Sequence, residues 1–195
     1  MRIVAAVALG VLASCTVAPA QQPDTDAEAR KNVSGDGNGQ AEKEAPVFTE
    51  VEPYNLKWLK LEGEFAGITP ARMFELWTRP ELLTKWWPPR AEIELKVGGK
   101  YELSWLDGSG EVKWQLAAKI TEFEPNRRLG FTWDWAGSEN PNHSTVSIEF
   151  IETEGGANLR VTHGPYTESD EDQNHRRSQL GGWQFFGANL RKMRE

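Results

Sequence analysis

Thiols are almost absent from this chain: one cysteine, Cys15, stands among 195 residues. A disulfide within one chain is therefore excluded, and so is a zinc site built on several cysteines. Histidine is nearly as scarce. His143, His163 and His175 do not stand at the short intervals that set two ligands on one helix face, so no metal is expected. No Gly-rich phosphate loop follows any strand candidate, and no cofactor is expected. Blocks of Lys or Arg are missing, and the net charge is −7. That balance argues against nucleic acid as a partner and against a basic patch for anionic membrane. No apolar run reaches the roughly 20 residues of a membrane-crossing helix. Internal repeats are also missing.

What the chain has in excess is tryptophan, nine residues of it. Each indole brings a large apolar area and one N–H that needs an acceptor when buried. Core packing uses several of them, and nine suggest a cavity wall as well.

The N-terminus carries a basic start, Met1-Arg2, an apolar run over Ile3–Ala13, and small residues before Cys15. These are the parts of an export signal. Leu12-Ala13-Ser14-Cys15 resembles the lipobox of bacterial lipoproteins, which implies lipidation at Cys15 and an anchor in the cell envelope facing the periplasm. Two other readings stand beside it. Ala18-Pro19-Ala20 would serve as a cleavage site releasing a soluble periplasmic or secreted protein, and an incidental cysteine in an ordinary N-terminus needs no export. Residues 16–50 include Ser34-Gly35-Asp36-Gly37-Asn38-Gly39-Gln40 and offer little to bury, so they are expected to form a disordered tether.

The folded domain is expected over 51–195, long enough for one substantial core. Leu56–Leu61 starts a first strand. Thr69-Pro70 reads as an N-cap with proline at the first helical position, and Met73, Phe74, Leu76 and Trp77 follow at helical spacing over 70–78. A second short helix is expected over Glu81–Trp86, stopped by Pro88-Pro89. Period-two runs then follow: Ile93 and Leu95; Tyr101, Leu103 and Trp105; Val112 to Ile120; Leu129 to Trp135; Val146 to Phe150; and Leu159 to His163. Gly98-Gly99, Asp107–Gly110, Glu124–Asn126 and Glu154–Gly156 separate them as turns, and Gly164-Pro165 stops the last. From about Glu168 the period becomes helical, with Leu180, Trp183, Leu190 and Met193 on one stripe. Acids at its start and basic residues at its end match the helix macrodipole. The sum is an α+β domain: a curved antiparallel sheet of about six or seven strands around a long C-terminal helix, with two short helices after the first strand.

This order resembles the SRPBCC superfamily, which includes START domains. The motifs that carry the likeness are Trp86-Trp87-Pro88, Gly98-Gly99-Lys100-Tyr101, Ile120–Pro125 and Val161-Thr162-His163-Gly164. Within it, the chain is similar over about 56–194 to the heat-shock-protein-90 ATPase activator-like family. The resemblance implies a helix-grip fold with a ligand cavity between sheet and helix. It implies no single function, because chemistry lives in sites and not in folds.

Trp86, Trp87, Tyr101, Trp105, Trp114, Trp133, His163 and Trp183 are the candidate ligand-binding residues. Trp86 and Trp87 would close the mouth or pack into the core. Trp105, Trp114 and Trp133 share the inward face of their strands, and Trp183 opposes them from the helix. Gly181-Gly182 beside it suggests a close approach or room for a ligand. His163 points inward from a strand end, where it would bond a ligand, act as a general base, or be satisfied as a structural imidazole. His143 and His175 are expected in solvent.

Three functions are compatible with these residues. The first is an exported domain binding a small hydrophobic or aromatic molecule. The second is a protein-interaction or co-chaperone-like domain with a packed core. The third is a cyclase- or hydrolase-like enzyme using His163 with Asp134 or Glu111, although Asp134 alternates to the opposite face from Trp133. No triad of nucleophile, base and orienting acid is present to favour the third.

Overall fold

The computed structural model describes residues 45–137 and 144–194. The export signal, Cys15, most of the expected tether and His143 lie outside the described residues. Eight strands form one antiparallel sheet: β1 (Thr49–Glu50), β2 (Leu59–Ala66), β3 (Arg90–Ile93), β4 (Lys100–Leu106), β5 (Val112–Glu124), β6 (Arg128–Trp133), β7 (Ser144–Thr153) and β8 (Gly156–Gly164). Their spatial order is β1-β2-β8-β7-β6-β5-β4-β3. The helices are α1 (Pro70–Thr78), α2 (Pro80–Leu83) and α3 (Asp170–Arg191). This is the helix-grip arrangement expected from the sequence, with the two-residue β1 as an added edge.

Alternation explains why the sheet has one dry face. Leu59, Leu61 and Phe65 of β2, Val146, Ile148 and Phe150 of β7, and Leu159, Val161 and His163 of β8 are all buried. The opposite face carries charge. Glu62 pairs in register with Arg160, Arg160 with Glu149, and Glu149 with Arg128, so acids and bases alternate across four strands. Arg160 Nε lies 2.7 Å from Glu62 and Arg128 3.1 Å from Glu149. Such exposed pairs add little energy but favour this register over a slipped one. The long strand β5 pairs with β4 through its first part and β6 through its last, with a register shift between Ile120 and Glu122. A bulge there bends the strand, which curves the sheet.

Both main helices start as their sequences dictate. Thr69 Oγ1 accepts from Arg72 N at 3.2 Å ahead of Pro70, and Ser169 Oγ accepts from Asp172 N at 3.2 Å. Residue Arg79 is extended, as the residue before a proline must be, so α1 stops there. α2 is shorter than the expected Glu81–Trp86 helix. It ends at Leu83, and Trp86 and Trp87 continue as a turn whose amides both donate to Leu83 O.

Two boundaries differ from the sequence reading. The first full strand begins at Leu59, not Leu56, because Asn55 Oδ1 accepts from the amides of both Lys57 and Trp58 and turns the chain before it. The folded domain also begins before Val51: Val47 and Phe48 are core residues. This strap lies between β2 and α3. Phe48 N donates to Gln184 Oε1 at 3.0 Å, the Gln184 amide returns a bond to Phe48 O, and Glu50 pairs with Arg176. Gly187 makes room for it, since a Cβ there would lie 2.7 Å from the Phe48 ring.

Candidate functional site

Seven of the nine tryptophans form one continuous aromatic body between sheet and α3, and its two ends differ. At the buried end, Trp77 meets Trp86 at 4.8 Å and Trp87 at 5.3 Å between ring centroids, and Trp86 stacks on Trp87 at 5.4 Å. Trp86 donates from Nε1 to Leu76 O at 3.0 Å. Tyr101 donates its hydroxyl to Trp77 O at 2.8 Å and stacks on Phe131 at 4.4 Å. Burial raises the Tyr101 hydroxyl well above its ordinary range, so it stays a donor. Trp86 and Tyr101 are thus packed, satisfied core residues.

The other end gathers where three strands finish. Trp133 closes β6, Ser144 opens β7 opposite it, and His163 stands at the end of β8 opposite Val146. Gly164 follows at φ +149°, where a Cβ would lie 2.6 Å from Lys57 O, so β8 can approach the start of β2 only with glycine here. Trp183 reaches down from α3, 5.9 Å from Trp133 and 5.7 Å from Trp87. Trp133 continues to Trp135 at 6.2 Å and Trp135 to Trp105 at 5.6 Å. These last three indoles are only half-buried, so the aromatic body opens at this corner.

His163 is fully buried at the junction. Its Nδ1 accepts from Trp183 Nε1 at 3.3 Å, which places its own proton on Nε2 facing Ser144 Oγ at 3.3 Å. The Trp133 ring lies 4.8 Å away and Tyr166 5.6 Å. Burial pushes its pKa down to about 3, so the ring is neutral. Its lone pair is taken up by an indole and its proton faces a hydroxyl. No carboxylate is among these partners, and a base at this position has nothing to orient it.

Trp114 stands apart. It pairs with Trp105 across β4 and β5, but its ring lies 3.9 Å under Lys113 Nζ and outside the packed core. Gly181 is exposed and Gly182 buried, while the close backbone approach on α3 is at Gly187. The sequence reading missed Trp135, Ser144 and Tyr166 as members of the corner. Trp135 continues the stripe of Trp133 and was visible there; Tyr166 lies beyond the Gly164-Pro165 stop, and no periodicity reports it.

A groove of about 730 Å³ lies at the opposite end of β7, against the start of α1, lined by Thr69, Pro70, Arg127, Arg128, Glu149 and Glu152 among others. Its arginines are paired with Glu124 and Glu149. Its walls mix these paired charges with Ala71, Phe150 and Ile151, and none of the tryptophans lines it. Among the described residues no His, Cys, Asp or Glu cluster is suited to a metal.

Residues 68–195 match the family model described as activator of Hsp90 ATPase homolog 1-like protein. A solved structure from Rhodobacter sphaeroides superposes with a TM-score of 0.63 at 20% identity, over 75% of this chain and 96% of that one. Protein Ms6760 from Mycobacterium smegmatis gives 0.59 at 23% identity, over 75% and 96%. DynU16, a protein of the dynemicin biosynthetic locus, gives 0.57 at 16% identity, over 70% and 46%. At these identities the likeness carries the fold alone. No curated protein matches the sequence. The family match runs from just before the cap of α1 through α3 and takes in every tryptophan of the aromatic body, leaving β1 and β2 outside it, and the chain belongs to the activator of Hsp90 ATPase homolog 1-like family, within the SRPBCC superfamily that its motifs resemble.

Proposed function

We propose that this domain binds a small hydrophobic or aromatic molecule at its open tryptophan corner, and that it works in the cell envelope, held by a lipid on Cys15. One observation carries the binding reading. The half-buried rings of Trp105, Trp133 and Trp135 run without a break into the buried rings of Trp183 and Trp87. Covering apolar surface is worth about 25 cal/mol per Å². A ligand lying against these rings gains that term at a place where three strand ends already meet. Native mass spectrometry of the purified 195-residue chain, with tryptophan fluorescence as the titration signal, tests the reading. A stoichiometric small molecule that alters the emission supports it. An empty protein, unresponsive to a panel of apolar and aromatic compounds, defeats it.

A second reading has its own support. Trp86 and Tyr101 are satisfied and packed, and the family description names an activator of an ATPase, which favours a protein-interaction or co-chaperone-like domain. The envelope location weighs against it, since ATP and its chaperones are cytoplasmic. The same titration separates the two, because a packed interaction domain leaves the emission unchanged.

A further inference from the structure

The hydrogen-bonding inventory of the aromatic body is lopsided. Trp86, Trp183 and Tyr101 each donate to an acceptor within the protein. At the open corner, Trp133 Nε1, Trp135 Nε1 and the Tyr166 hydroxyl are buried and bond to nothing among the described residues; Trp77 Nε1 is a fourth, set deeper. Every one of these groups can donate, and the three indole nitrogens can do nothing else. Burial and the nearby charge of Asp172 raise the Tyr166 hydroxyl, so it too keeps its proton. Buried donors left without acceptors are among the larger single penalties a fold carries.

Resting on the binding reading above, we infer that the corner takes a neutral, planar aromatic molecule bearing a carbonyl-type acceptor, hydrogen-bonded by Trp133, Trp135 or Tyr166. Neutrality follows from the surroundings. His163 carries no charge, and the cation–π contact recorded among the described residues is at Trp114, outside the corner. An anion would meet the charge of Asp172 beside the Tyr166 hydroxyl. Planarity follows from the walls, which are indole faces. A ring between two others needs about 7 Å from face to face, twice a contact of about 3.5 Å. Trp135 stands 5.6 Å from Trp105 and 6.2 Å from Trp133, so it must swing aside. Its backbone lies outside β6 but is held to β5 by Ala117 N donating to Asp134 O and Ala136 N donating to Gln115 O, so the movement is one of its half-buried side chain.

The test is a matched pair, 9-fluorenone and fluorene, which share a skeleton and differ by the carbonyl. Equilibrium dialysis against the full chain gives both affinities, and their ratio cancels any loss of folded protein. The ketone is expected to bind about tenfold or more tightly, and Trp133→Phe, Trp135→Phe or Tyr166→Phe should bring the ratio toward one. Equal binding of the two overturns this inference and leaves the binding function standing. A ratio that survives all three substitutions overturns the assignment of donors. If neither compound binds, this inference falls, and the compound panel above decides the binding reading.

Discussion

His163 shows how far one residue is legible from its position. Alternation along β8 placed it inward, and it is inward; its partners come from α3 and β7, so no local pattern could name them. A buried neutral imidazole has a consequence for stability. Its folded pKa, about 3, lies below the ordinary value of 6.5. Above pH 6.5 both folded and unfolded chains hold it neutral. Below that, the unfolded chain takes up a proton that the folded one refuses, so stability falls as pH drops from 6.5 toward 3, by about 1.4 kcal/mol per unit at most. His163→Leu removes this dependence. At pH 7.5 it should be less stable by about 1–3 kcal/mol, because Trp183 loses its acceptor. Urea melts at pH 7.5, 6 and 5 should show the gap between wild type and variant closing as pH falls; a constant gap would sink the account. A contrast comes from Trp86→Phe, which breaks the bond to Leu76 O inside the packed end. It should destabilise by about 1–3 kcal/mol and leave ligand affinity at the corner alone.

At the scale of elements, α1 and α3 were readable because their signals are local: a capping hydroxyl, a proline or acidic first turn, and a repeating apolar face. The strap at 47–50 was not. Val47 and Phe48 sit in a sequence that offers nothing to bury before them, and their partners, Gln184 and Gly187, are distant in the chain. The sequence drew attention to Gly181 and Gly182 of α3, and the structure adds Gly187. Gly181 is exposed, whereas Gly187 lies under the Phe48 ring. Alanine at the two positions should therefore act in opposite directions. Gly181→Ala gains helix propensity and should stabilise by about 1 kcal/mol. Gly187→Ala gains the same propensity but sets its methyl 2.7 Å from a ring carbon of Phe48, so it should destabilise, by about 1–3 kcal/mol. Thermal melts of both variants decide this, and a stabilised Gly187→Ala would mean that the strap does not hold α3.

For the whole molecule, the fold class was legible because successive period-two runs and one long helical stripe leave few ways to bury both apolar faces. The open corner was legible only in part. Trp133, Trp183 and His163 lie in elements whose inward faces can be counted, and Trp135 continues the stripe of Trp133; Ser144 opens β7 ahead of its apolar residues, and Tyr166 enters from beyond the Gly164-Pro165 stop, where no period reports it. The strap also fixes where the N-terminal segment meets the domain, beside α3 and β2. About 30 residues of sequence separate Cys15 from this strap. This yields a prediction that separates anchor from fold. In a bacterial host that processes lipoproteins, the wild-type chain should sediment with membranes and Cys15→Ser should not, because the proposed lipid is on that one residue. The two proteins should melt at the same temperature and bind the same compounds, since the contacts that build the aromatic body among the described residues do not involve Cys15. Membrane retention of Cys15→Ser would remove the lipid anchor from the account. A soluble wild type, trimmed after Ala20, would replace it with simple export.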